Sequence, residues 1–361
     1  MAFLMMCWGA VTIGTYGVRD FAGLTVTRFL LGLFEAGLFP GMVYYMTFWY
    51  RVDERSIRVA IIIASATLAG AFGGAIAYGI SHMNQVRGLS AWRWLFILEG
   101  VPSCLAAILV WFFLPDFPET APWLSSTERK LASARLAFNG SKGTSDAMTW
   151  QEAKQTLVDW RLYIHYLIYF FMSVSFSSLS LFTPSITNGL GYSSITAQLM
   201  TVPPWAAAYI FTLLVAFTSD RYNARSIHSA LSMLVSAAGF IASAALPADS
   251  FLGRYLCLIV ACSGAFASIP PLLGWLTGNL HSTSAASLAI ALNVSFGSPG
   301  QIVGVWIYQE DEKLAGYPTG HWTNVGMMLA GAVLILGLRW WYRKDNKRIW
   351  REGCREKLWK L

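Results

Sequence analysis

Runs of roughly 20 apolar residues, separated by short polar connections, recur along the chain from its first residues to about position 342. A helix crossing the hydrocarbon core of a bilayer needs about that length. Ten spanning helices are therefore predicted, over 1–18, 23–48, 59–81, 94–115, 162–187, 195–218, 228–247, 252–277, 285–308 and 322–342. Several runs contain glycine, as in Ala69-Gly70-Ala71-Phe72-Gly73-Gly74. In water this would read as loop, but between membrane helices small residues let backbones approach closely. One polar stretch is long, 116–161, and it divides the helices into four and six. The other connections are short, so neighbouring helices run antiparallel.

Charge orients this arrangement. With the connection 49–58 placed in the cytosol, 19 of the 26 basic residues fall on that side. Four fall opposite, Arg19, Arg87, Arg93 and Lys313, while Arg28, Arg254 and Arg339 lie in or at the ends of helices. That asymmetry predicts both termini in the cytosol. Composition agrees, since 55% of the chain is hydrophobic and 12% charged, against about 25% charged in an ordinary soluble domain. The excess of apolar surface has to face lipid.

Other classes fit poorly. The net charge of +7 gathers in loops and in the tail 343–361, without the interleaved stacking aromatics of a nucleic-acid platform. Five scattered cysteines suit neither zinc nor a disulfide framework. Met1 leads straight into apolar residues without a basic segment, so no cleaved signal peptide is expected. Gly297-Ser298-Pro299-Gly300 lacks the spacing of a nucleophile elbow. No metalloprotease motif or phosphate-binding loop occurs. No enzyme activity, metal or cofactor is expected.

Two residues stand out on physical grounds. Arg28 and Glu35 lie within an apolar run, where each ionised group costs at least about 2.5–3.5 kcal/mol unless it faces a cavity or a partner. Seven residues apart, they share one helix face at about 10 Å, too far for a direct ion pair. An anion site beside a proton-titrating carboxylate fits that spacing, and so does a structural ion cluster with other helices.

The segment Thr27-Arg28-Phe29-Leu30-Leu31-Gly32-Leu33-Phe34-Glu35-Ala36-Gly37-Leu38-Phe39-Pro40-Gly41 resembles the fourth helix of the anion:cation symporter branch of the major facilitator superfamily, in its fungal allantoate-permease-like group. Similar to the same group are Glu54-Arg55-Ser56-Ile57-Arg58, the run Trp92-Arg93-Trp94 to Glu99-Gly100, and Leu114-Pro115-Asp116-Phe117-Pro118-Glu119-Thr120. So are Leu190-Gly191-Tyr192 and Val202-Pro203-Pro204. The resemblance implies an all-α membrane protein with a major facilitator fold. Its domains would be an N-terminal half over 1–115, a cytosolic loop over 116–161, a six-helix half over 162–342 and a basic cytosolic tail over 343–361.

By that register Met1 opens the family's third helix, and the 4 + 6 plan is a 6 + 6 plan without its first two helices. A protein with ten helices by design is the other reading. The implied function is secondary active transport of a small organic anion with protons, by alternating access, in the plasma membrane. Allantoate, nicotinate, pantothenate, biotin and small peptides are substrates of the family, and nothing in the residues selects among them. The alternative is a transport-incompetent product of an incomplete gene model. Lipid and the transported solutes are the expected partners, with a homo-oligomer left open.

The resemblance gives Arg28 the role of organising substrate charge and Glu35 that of coupling protons. On the seventh family helix, Tyr169 is the candidate from a stripe of Tyr166, Tyr169, Ser173, Phe176 and Ser180. Phe171-Met172 stands where related branches carry an arginine, which argues against a doubly charged substrate. His165 is expected at the interface, and Glu99 serves either as a second titratable site or in packing. Asn293 and Gln301, near Gly297, Gly300 and Gly304, resemble the eleventh helix, and their amides can bond a carboxylate or another helix. The loop around Asp220, Arg221 and Arg225 either docks a neighbouring helix in one conformational state or is a plain positive-inside loop. Gly320-His321 fits the family pattern with no chemistry assigned.

Overall fold

The computed structural model describes residues 1–50, 52–137, 149–247, 249–280, 283–352 and 358–361, and no strand occurs among them. The helices, in chain order, are α1 (Ala2–Gly14), α2 (Phe21–Glu35), α3 (Leu38–Trp49), α4 (Val52–Ser81), α5 (Ala91–Phe113), α6 (Ser126–Ala137), α7 (Trp150–Val158) and α8 (Trp160–Gly189). They continue with α9 (Ser194–Leu199), α10 (Val202–Arg221), α11 (Arg225–Ala245), α12 (Phe251–Ala267), α13 (Ile269–Gly278), α14 (Thr283–Trp306) and α15 (Pro318–Arg351). Among the described residues, eight helical stretches are long and apolar enough to cross a membrane, and Ala2–Gly17 is a shorter apolar one. Each of the ten predicted runs coincides with a helix or a pair of consecutive helices.

The departures have local causes. The run 23–48 breaks after Glu35, where Pro40 has no N–H for the Ala36 carbonyl and its ring crowds that group. The run 252–277 breaks at Ser268, directly before Ile269-Pro270-Pro271. The polar stretch 116–161 holds two short helices. A capping box opens α7, in which Thr149 and Glu152 satisfy each other's backbone N–H groups. The last helix runs nine residues past its predicted end at 342, to Arg351.

The chain divides into two compact units. The first comprises Met1–Arg55, Ile76–Ala147 and Ser282–Ser287. Here α1 packs on α5 through glycines on both helices. A methyl group on Gly100 would come within 2.9 Å of the Gly9 carbonyl oxygen, and one on Gly9 within 3.3 Å of the Gly100 carbonyl oxygen. Such contact brings backbones together without large side chains, as membrane packing favours. Phe21, Trp111, Phe112 and Phe113 are exposed.

The second unit comprises Ser56–Ala75, Met148–His281 and Leu288–Leu361. Within it α11 packs against α12, α13 and α15, and α8 against α15. Gly239 and Gly264 seat α11 on α12, and the Ser236 hydroxyl donates to the Ala261 carbonyl at 3.0 Å. This unit also holds the largest fully buried side chain, Trp275.

Candidate functional site

In the first unit, Asp20 caps α2 by accepting from the Gly23 N–H at 2.8 Å, and the helix then carries Arg28 and Glu35. Both side chains are exposed. The Arg28 guanidinium lies 5.5 Å from the centroid of the Phe96 ring on α5. A cation over an aromatic face gains about 0.5–2 kcal/mol without being neutralised. Glu35 is the last residue of α2, at the break before α3. Glu99, on α5, is exposed as well.

The other candidates meet in the second unit, on α8 and α14. Asn293, Gly297 and Gln301 recur every fourth residue and share one face of α14. Gly297 faces Tyr169 and Ser173, and a methyl group there would lie 2.5 Å from the Tyr169 ring. Gly300 and Gly304 abut the backbone carbonyls of Phe170 and Val174, so α14 lies directly on α8 with parallel register. Gln301 is half-buried. Asn293 is 1% exposed, and its Nδ2 has no hydrogen-bond partner.

The same helix pair shows a layer that sequence reasoning missed. His165 is expected at the interface, but it is 1% exposed, with its ring 4.7 Å from that of Trp275 on α13. Neither ring nitrogen of His165 has a partner, nor does the buried Tyr166 hydroxyl. Tyr166 stacks on Phe296 at 5.2 Å, one turn from Asn293. Orphaned polar groups at such density mark a place for water or a polar ligand. The position of His165 near the end of an apolar run hid its burial, because the covering residues, Trp275 and beyond it Lys360, are remote in sequence. The Trp275 indole N–H donates to the Lys360 carbonyl at 2.9 Å.

The loop candidates separate. Arg225 pairs with Asp220 at 3.0 Å and donates to the Gly274 carbonyl at 2.9 Å, which ties the α10–α11 connection to α13. Arg221 is exposed and stands apart from this link.

A second polar chain is fully buried at the other end of this unit. Ser175 donates to Asn324 Oδ1 at 2.7 Å, and Asn324 Nδ2 donates to the Tyr308 hydroxyl at 3.3 Å. That hydroxyl lies 3.2 Å from His321 Nδ1, and His321 Nε2 lies 3.3 Å from the Ser243 hydroxyl. No three His, Cys, Asp or Glu side chains cluster as metal ligands would among the described residues.

The family model described as Major Facilitator Superfamily matches residues 1–305. The chain is 61% identical over 353 residues to the MFS transporter prlL of a fungal species (strain NRRL 50135), covering 98% of this chain and 71% of that protein. It is 30% identical over 346 residues to the MFS-type transporter efuF of Hormonema carpetanum, covering 96% and 70%. Among solved structures, the fold resembles the xylose transporter XylE from E. coli, with a TM-score of 0.64 at 16% identity over 93% of this chain and 78% of that one.

Proposed function

Because the chain belongs to the Major Facilitator Superfamily, and is thus a multi-pass membrane transporter, we propose that it moves a small organic anion together with protons by alternating access. The observation that carries this reading is the pair on α2. Arg28 and Glu35 are the only residues between Phe21 and Trp49 that are charged at neutral pH, and among the described residues no carboxylate pairs with Arg28. A cation held by an aromatic ring rather than by an acid retains its charge for an incoming carboxylate. Glu35, on the same helix, is the group that would exchange the proton.

On this reading the halves are 1–115 and 162–342, joined by 116–161, with the tail 343–361 and both termini in the cytosol of a plasma-membrane protein of the allantoate-permease-like branch. Tyr169, Asn293 and Gln301 would supply neutral hydrogen-bonding groups from the second half, which suits one negative charge better than two. The relatives are named as transporters, and nothing in them favours a transport-incompetent product.

The test is uptake into vesicles containing the purified chain, with radiolabelled monocarboxylates and an imposed pH gradient. Saturable uptake that stops when the gradient is collapsed is the expected result. Gradient-independent uptake, or uptake confined to neutral or cationic solutes, would overturn it.

A further inference from the structure

Beyond its apolar part, α15 continues as a charged helix. Trp340, Lys344, Lys347, Arg348 and Arg351 are spaced four, three, one and three residues apart, so they share one face, and all five are exposed. With Trp341 and Asp345 they line a cavity of 440 Å³. The acids nearby are already engaged. Asp345 pairs with Arg348 at 2.9 Å and accepts from the Trp359 indole N–H at 2.7 Å, while Glu352 lies 3.8 Å from Arg348. Among the described residues no carboxylate pairs with Lys344, Lys347 or Arg351, and Lys344 Nζ sits 5.5 Å from the Trp340 ring centroid.

The depth of this cavity in the bilayer is marked by aromatics. Trp160, at the start of the spanning helix α8, meets Trp341 at 5.0 Å, so α8 enters the membrane where α15 leaves it. Trp160 and Trp150 are exposed, and Trp340 is 65% exposed. Exposed tryptophan at helix ends belongs at the headgroup level. The cations follow Trp340 on the side away from the apolar run.

We propose that this face of α15 binds a phospholipid whose headgroup carries net negative charge, with phosphate and headgroup held by Lys344, Lys347 and Arg351 and an acyl chain beside Trp340. Three cations around a cavity supply the charge complement, and clusters of this kind next to a spanning helix attract acidic lipids. The exposed tryptophan face favours a lipid over a free anion, which would leave that apolar surface in water. The inference rests on α15 spanning the bilayer, not on the direction in which it does so.

Native mass spectrometry of the full chain, titrated with phosphatidylserine or phosphatidylcholine, tests it. Phosphatidylserine should bind at least about tenfold more tightly, since one cation near an acidic lipid contributes roughly fivefold, and replacing Lys344, Lys347 and Arg351 together by Gln should abolish that preference. Lys313→Gln, at the other end of the unit, should leave it intact. Thermal unfolding in pure phosphatidylcholine should be the same for the triple variant and the unaltered chain, because the three side chains are exposed. Equal affinity for both lipids, or a triple variant that keeps the preference, would overturn the proposal. So would equal competition by soluble glycerophosphoserine, which would show a free-anion site. Detergent-solubilised chain presents this face whichever way it lies in a cell, so an error of orientation would not alter the result.

Discussion

Asn279 holds both hydrogen-bonding groups of one residue's backbone: its Nδ2 donates to the Lys360 carbonyl at 3.2 Å, and its Oδ1 accepts from the Lys360 N–H at 2.7 Å. Asn346 does the same for Trp359, at 2.8 and 2.7 Å. The Trp359 ring stacks on Tyr342, and the Arg161 guanidinium lies 4.0 Å from its centroid. Both asparagines bind backbone groups of the segment rather than its side chains. Asn279→Ala should loosen it, since the half-buried Lys360 N–H loses its partner, at a cost toward the lower end of about 1–3 kcal/mol. Amide exchange over 358–361 is expected to quicken by about tenfold, while Gly326→Ala, with open space around its Cβ position, leaves it unchanged. Equal exchange in Asn279→Ala and the unaltered chain would show the contact to be dispensable.

The pair on α2 separates coupling from binding. Glu35→Gln keeps the shape but cannot lose a proton, so uptake should no longer respond to a pH gradient while the protein still reaches the membrane. Arg28→Ala should abolish anion uptake. Phe96→Leu removes only the aromatic support, worth about 0.5–2 kcal/mol, and should weaken apparent affinity by roughly twofold to thirtyfold. A Glu35→Gln protein with full gradient-driven uptake would remove that residue from the coupling role.

The contact between α8 and α14 makes a prediction about stability. A methyl group on Gly300 would strike the Phe170 carbonyl oxygen, and backbone on backbone has no side chain to move aside. Gly300→Ala should therefore force the helices apart and cost about 1–3 kcal/mol, the range for overpacking. Gly326→Ala, on α15 with open space around its Cβ position, should be tolerated. Thermal unfolding of the two variants in detergent would distinguish them, and equal midpoints would contradict the packing argument.

Apolar length is a local property, which is why all ten apolar runs were legible as helices from the residues alone, although eight stretches among the described residues are long and apolar enough to cross a membrane. Breaks at Pro40 and before Pro270 were visible as residues but not as interruptions, because membrane helices often pass through proline unbroken. The residues of the candidate site were legible in part. Arg28 and Glu35 declare themselves by charge in an apolar run, and Asn293 and Gln301 by polarity near a glycine series. His165 did not, because its cover comes from Trp275, more than a hundred residues away. Nor did the backbone grip of Asn279 on Lys360, since the sequence offers no sign of which main chain an amide will meet.

Tyr308 and Tyr317 offer a matched pair for the buried chain at the far end of the second unit. Their rings lie 5.4 Å apart and both are buried, but only the Tyr308 hydroxyl is bonded. It accepts from Asn324 Nδ2 and lies 3.2 Å from His321 Nδ1, while His321 Nε2 lies 3.3 Å from the Ser243 hydroxyl. The Tyr317 hydroxyl is buried without a partner. Tyr308→Phe would strand both Asn324 Nδ2 and His321 Nδ1, at a cost of about 1–3 kcal/mol, whereas Tyr317→Phe deletes an orphan and should be neutral or stabilising. In an Asn324→Ala background, part of the Tyr308→Phe cost should vanish, because one stranded partner is gone; neighbours in one network couple by about 0.5–3 kcal/mol. Unfolding midpoints of the four proteins of that cycle, with Tyr317→Phe beside them, measure the effect. Additive losses within about 0.3–0.5 kcal/mol, the limit for independent sites, would mean that the chain does not act as a unit.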